Sequence, residues 1–342
     1  MQNILLRLLI LLAVFFSASE APSQQVAIKL GTLAPSGSPW HDVLKVMGER
    51  WREASNGRVQ LTIFPGGVAG DEPDMLRKLR VGQLHAAALS GAWLGSIEPA
   101  VHALQIPLAF SSYEELDYVR ERLSGRLETL LEKRGFVVLN WGDAGWVTFF
   151  AQKPVTRVAE MKSMKLFAWA GDPGVIAMWR DAGFQVVPLA STDIMLSLQT
   201  GLIHAFNATA LAAVSFQWFT LAPYMIDLRW APLIGATIVS RQAWDKIPAD
   251  VRPVLHGISR EAGRQVRNEI RNLEQEAIRA MVKRGLEIVH IPDQFMAEWR
   301  QVGEAAYPRL QKELVPPEYF KEVFRLRDEY RSKKALPPPV NR

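Results

Sequence analysis

Few residues in this chain are of a type and spacing that could do chemistry. The six histidines, His41, His85, His102, His204, His256 and His290, include no pair at the HExxH spacing that would set two imidazoles on one helical face around zinc. Gly66-Gly67-x-x-Gly70 follows an apolar run as a phosphate loop would. It lacks both the P-loop lysine and the spacing of a dinucleotide fingerprint, so it reads as a turn. Ser36-Gly37 and Ser90-Gly91 have no evident histidine and acid partners, and there is no G-x-S-x-G elbow. The absence of cysteine excludes disulfides, thiolate metal sites, cysteine nucleophiles and lipid attachment to an N-terminal cysteine. These residue types point away from an enzyme, a metal centre or a cofactor, and toward a binding protein.

The material for binding is aromatic. Of the 11 tryptophans, Trp93, Trp146 and Trp169 fall just beyond predicted strand ends, and Trp40 follows Pro39 at a helix start, where it serves either a site or the packing of the first lobe. Trp51, Trp141, Trp179, Trp218, Trp244 and Trp299 are most simply core. Val147 and Phe167 join the apolar candidates, while Glu72, Ser90 and Asn207 supply the polar groups. Together they describe a mostly apolar pocket with a few hydrogen-bonding groups.

These residues must be positioned by an α/β fold. The stretch Met161 to Thr209 reads as strand (Lys165 to Ala168), helix (Pro173 to Ala182), strand (Gln185 to Leu189), then a helix through Thr200 capped by Ser191. An earlier run repeats the pattern, with strands at Val26 to Leu33, Val59 to Phe64 and Ala86 to Ser90. Such alternation implies parallel strands with helices on their faces, and ligands then bind outside the carboxyl ends of the strands. Gly142-Asp143-Ala144-Gly145 reads as a flexible link between the strand Phe136 to Trp141 and the segment Trp146 to Ala151. Pro248 to Val282 reads as a long helical region interrupted at Pro253.

At the start of the chain, Arg7, the apolar run Leu8 to Phe16 and the small residues Ser17, Ala18 and Ser19 have the order of a secretory signal over 1–22. No later run is long and uncharged enough to span a membrane. The expectation is an exported, periplasmic protein. A length of 342 residues suggests two domains. The formal charge of +5, with both signs interspersed, gives no footprint for nucleic acid.

In order along the chain, GTLAPSGSPWHDVL, VQLTIFPGGVAGDEPDML, LRVGQLHAAALS, IPLAFSSYEEL, VPLASTDIMLSLQTGLIHAF and VSRQAWDKIPADVRPVL resemble the periplasmic solute-binding subunits of tripartite ATP-independent periplasmic (TRAP) transporters, from about Val26 to Tyr330. The resemblance implies two α/β lobes with a cleft between them, crossover strands at the hinge and one long helix across both, here Val251 to Lys283. It places lobe I over 26–145 with 234–265, lobe II over 146–233 with 266–331, and a flexible tail over 332–342. It implies a small-molecule ligand, the small and large membrane subunits of the transporter as partners, and no catalysis. Some relatives also work with a tetratricopeptide-repeat protein.

Where the family usually presents an arginine to a substrate carboxylate, in a motif like K-x-R-V-P, this chain has Lys165-Leu166-Phe167-Ala168. A second family arginine after the crossover glycine is absent from Gly145-Trp146-Val147, and the usual D-G-x-E turn reads His204-Ala205-Phe206-Asn207. A buried carboxylate without a partner is disfavoured by about 3 kcal/mol or more. The expected ligand is therefore apolar or aromatic. The alternatives are an organic acid held by a relocated base such as Lys165 or Arg180, and an exported carrier or sensor without a permease.

Overall fold

A computed structural model describes residues 25–170 and 173–335, so the signal expected over 1–22 lies outside the described residues. The first half runs β1 (Val26–Thr32), α1 (Pro39–Ala54), β2 (Val59–Phe64), α2 (Glu72–Arg80), β3 (Ala86–Ser90). β1 lies between β2 and β3 and is parallel to both, as a βαβ order dictates. The Ser38 side chain accepts from the His41 amide to cap α1, and Pro39 fits its first turn because its missing N–H has no partner to lose there. Asp71 caps α2 in the same way.

Next come α3 (Gly91–Ile97), a 3-10 turn at Pro99–Gln105, α4 (Tyr113–Lys133) and β4 (Phe136–Ala151). The second half repeats the alternation with α5 (Val158–Lys162), β5 (Lys165–Trp169), α6 (Pro173–Asp181), β6 (Gln185–Leu189), α7 (Ile194–Gln199), β7 (Ala205–Thr209) and α8 (Ala210–Ser215). Here β5 is the parallel centre, flanked by β6 and β7. β8 (Tyr224–Ile226), β9 (Ala231–Ser240), α9 (Arg241–Lys246), α10 (Arg252–Val282), β10 (Glu287–Val289), α11 (Asp293–Ala305) and α12 (Pro317–Ala335) complete the chain.

All the strands join one 10-stranded sheet ordered β2-β1-β3-β9-β4-β7-β5-β6, with β8 and β10 to one side. The two parallel groups are connected by β9 and β4, which run antiparallel from Phe136 opposite Ser240 to Val147 opposite Ala231. Gly142 to Gly145 is thus no flexible link. The ladder to β9 carries the strand through it, with register shifts at Val138/Asn140 and Asp143/Gly145 that bend it as bulges do. Gly145 has φ +112°, a conformation open to glycine at little strain.

α10 is 31 residues long, about 46 Å at helical rise. Pro253 stands in its first turn and interrupts nothing, because a proline there gives up only an N–H that has no helical partner. Leu255, Ile258 and Ala262 join the core around Leu30, Trp51 and Trp244. Met281 joins a second core around Phe150, Phe206 and Trp218. The helix therefore ties together cores on both sides of the crossover strands. α12 packs on α4, and Arg331 reaches both Glu115 carboxylate oxygens at 2.7 and 3.0 Å. Residues 317–331, grouped with lobe II on sequence, thus rest against a lobe I helix, and 332–335 continue that helix where a tail was expected. No helix among the described residues is long and apolar enough to cross a membrane.

Candidate ligand-binding cleft

Two chambers of about 200 and 260 Å³ open where the carboxyl ends of the two parallel strand groups face each other. They share walls at Leu33, Trp169, Thr209, Ala212, Phe216 and Leu233, so the two chambers adjoin. Among the described residues no lysine or arginine lines either chamber. Lys165 and Arg180, named above as candidate relocated bases, are both exposed and outside the walls of both chambers.

The smaller chamber contains Trp40, Glu72 and Ser90. Trp40 donates its indole N–H to the Asp143 carbonyl at 3.3 Å. Glu72, only 3% exposed, begins α2 and points at the end of β3. There the Ser90 N–H donates to Oε1 at 2.5 Å, and the Ser90 hydroxyl pairs with Oε2 at 2.7 Å. Burial pushes the Glu72 carboxyl up to about 8, against the pull of those hydrogen bonds. Near neutral pH this wall is therefore mainly uncharged. Asp143, the other acid at this chamber, is saturated from behind by Arg120 and by Arg271, whose Nε and Nη2 lie 2.9 and 2.6 Å away.

The larger chamber contains Val147, Phe167 and Asn207. Phe167 is 6% exposed and belongs to the core under β5. Trp169 lines both chambers, and its indole N–H donates to Asp71 Oδ2 at 3.1 Å. Asp71 also accepts from the Ser191 N–H and hydroxyl, each at 3.0 Å, and from the Glu72 N–H at 2.9 Å. One carboxylate on α2 thereby fastens the turn after β6 and the end of β5 across the cleft. Ser191 spends its hydroxyl on this contact and caps no helix: a 3-10 turn fills Ser191–Asp193, and α7 begins at Ile194.

Trp93 and Trp146, expected at the site, do not line either chamber. α3 starts directly after β3, so Trp93 turns back into the lobe I core at 7% exposure. Because β4 is continuous, Trp146 and Val147 face opposite sides of the sheet. Trp146 packs on Tyr113, 5.3 Å between ring centroids, and its backbone N–H donates to Glu274 Oε1 at 2.9 Å. Burial raises the Glu274 carboxyl above its ordinary range.

Sequence reasoning missed Asp71 and Gln105. Asp71 was detectable only as a helix cap before Glu72-Pro73, and its cross-cleft partners lie about 100 residues on. Gln105 has no sequence signal, and only the fold brings it to the larger chamber.

A family model described as bacterial extracellular solute-binding protein, family 7, matches residues 30–314. The chain is similar to a solute-binding protein of Roseobacter denitrificans, 26% identical over 55% of this chain and 58% of that protein, so this match spans under two thirds of the relative's length. It is also similar to the 2,3-diketo-L-gulonate-binding periplasmic protein YiaO of Escherichia coli, 22% identical over 80% of this chain and 83% of that one. Among solved structures, the TRAP periplasmic solute-binding protein of Citrobacter koseri with bound D-glucuronate superposes with a TM-score of 0.80, covering 87% of this chain and 98% of that one at 22% identity.

Proposed function

Since the chain belongs to the bacterial extracellular solute-binding protein family 7, we propose that it is the periplasmic binding subunit of a TRAP-type transporter, and that it captures an uncharged, largely apolar or aromatic solute between its lobes for delivery to the membrane subunits. The observation that carries the ligand class is the cleft wall itself. Phe167 and Trp169 line it, and no lysine or arginine does among the described residues. A carboxylate placed there would leave water without a cation or a dense set of donors, which is disfavoured by several kcal/mol, about 3 or more. Export and periplasmic residence follow from the family reading. A tetratricopeptide-repeat partner finds no support in the structure.

A second reading has a specific observation behind it. The similar Citrobacter koseri protein holds D-glucuronate, and YiaO is named for a sugar acid. Among the described residues His102 is the one basic side chain in the present walls, so an acid in this cleft would rely on it or on a base from outside them. Native mass spectrometry of the purified protein separates the readings. The proposal predicts a retained neutral or weakly polar aromatic or aliphatic species, whereas a retained sugar acid or dicarboxylate would establish the second.

A further inference from the structure

We infer that Gln105 is a specificity-determining residue of the larger chamber, selecting solutes that carry a hydrogen-bond donor such as a phenol or alcohol hydroxyl. The inference rests on the apolar reading of the cleft and narrows it. Gln105 ends the 3-10 turn at Pro99–Gln105 and lines that chamber. Its Oε1 is buried and has no hydrogen-bond partner. The other buried orphan atoms among the described residues are the indole nitrogens of Trp93 and Trp146, which are donors, so Gln105 supplies the orphan acceptor. An acceptor left unpaired away from water is destabilising, and an arriving donor would relieve it.

Gly91 gives the amide its place. A Cβ at that position would collide with Gln105 Oε1 and lie 2.7 Å from the amide carbon, so the glycine that opens α3 makes room for the amide. Oε1 is packed on Gly91, and the terminal torsion of a glutamine is soft and roughly two-fold, so a half-turn that exchanges Oε1 with Nε2 is the movement that presents the acceptor to a bound solute. The surroundings favour a neutral donor. Among the described residues no lysine or arginine lines this chamber, and a carboxylate oxygen against Oε1 would set acceptor against acceptor.

The test is calorimetric titration with matched 4-alkylphenols and alkylbenzenes, ethyl to butyl, which differ only in the hydroxyl. The natural protein should prefer each phenol by about 10-fold, the size of one net hydrogen bond. Gln105→Met removes the acceptor, and Gly91→Ala displaces it without touching Gln105. Both should shrink the preference to within about 3-fold, read as the ratio of affinities within each phenol and alkylbenzene pair. Equal affinities within the pairs in the natural protein, or a preference intact in folded Gln105→Met, would overturn the inference and leave an apolar cleft standing. Failure of every member of both series to bind would overturn the apolar reading beneath it.

Discussion

Glu72 lines an apolar chamber without calling for a cation, because burial keeps its proton on and Ser90 satisfies both oxygens. Its ordinary value of 4.5 rises to about 8 on folding, so between these values the folded state holds a proton that the unfolded chain has released. Stability from this group is therefore fully present below pH 4.5 and is lost as pH rises through about 8. Glu72→Gln keeps the shape and removes the titration. Thermal melts across this range should show a flatter profile, with the variant the more stable above pH 8 and the two alike near pH 4.5. Parallel loss in both proteins would show that Glu72 ionises freely. At the same scale, Asn207→Ala should weaken the bound solute by about 1–3 kcal/mol through loss of a buried partner, while the ligand-free melt stays put. The sequence singled out Glu72, Phe167, Trp169 and Asn207 at strand ends and helix starts, and all four line the chambers whose part in binding is proposed above. It misplaced Trp93 and Trp146 because the direction of a side chain just past a strand end depends on whether a loop or a helix follows. Gln105 could not be read at all, since its orphan oxygen exists only through packing against Gly91.

Among the elements, the start of α2 is joined to the turn after β6 through Asp71, which accepts from Trp169 and twice from Ser191. These bonds hold the cleft in the arrangement described. Ser191→Ala deletes one of them and leaves Asp71 to cap α2. It should speed solute release in stopped-flow by about 3–10-fold, since a lost closing contact appears mainly in the off-rate. Unchanged release would mean that closure is set elsewhere. The parallel strands and the long helix were legible because alternation and helical spacing are local signals. The four residues Gly142 to Gly145 were not, because glycines signal a link locally while the ladder to β9 is a long-range fact. Ser191 was misread for the same reason: a serine before a helical run suggests a cap until a carboxylate 120 residues away claims it.

At the scale of the molecule, β4, β9 and α10 cross between the two halves and both chambers lie at their meeting. On the proposed function, the expectation is that ligand favours the closed member of an open and closed pair. X-ray scattering should show a smaller radius of gyration once solute is added, and an unchanged radius at saturation would contradict closure. The proposed apolar cleft gives Phe167 a deciding part in what is enclosed. Phe167→Arg should lose the natural solute sharply, because an unpaired guanidinium would enter an apolar wall, with Phe167→Leu milder. The central claim is that this cleft has no place for a carboxylate. Calorimetric titration of the unmodified protein with succinate and D-glucuronate tests it most directly. The account predicts no binding heat beyond dilution for either acid, and saturable, tight binding of either one would contradict it.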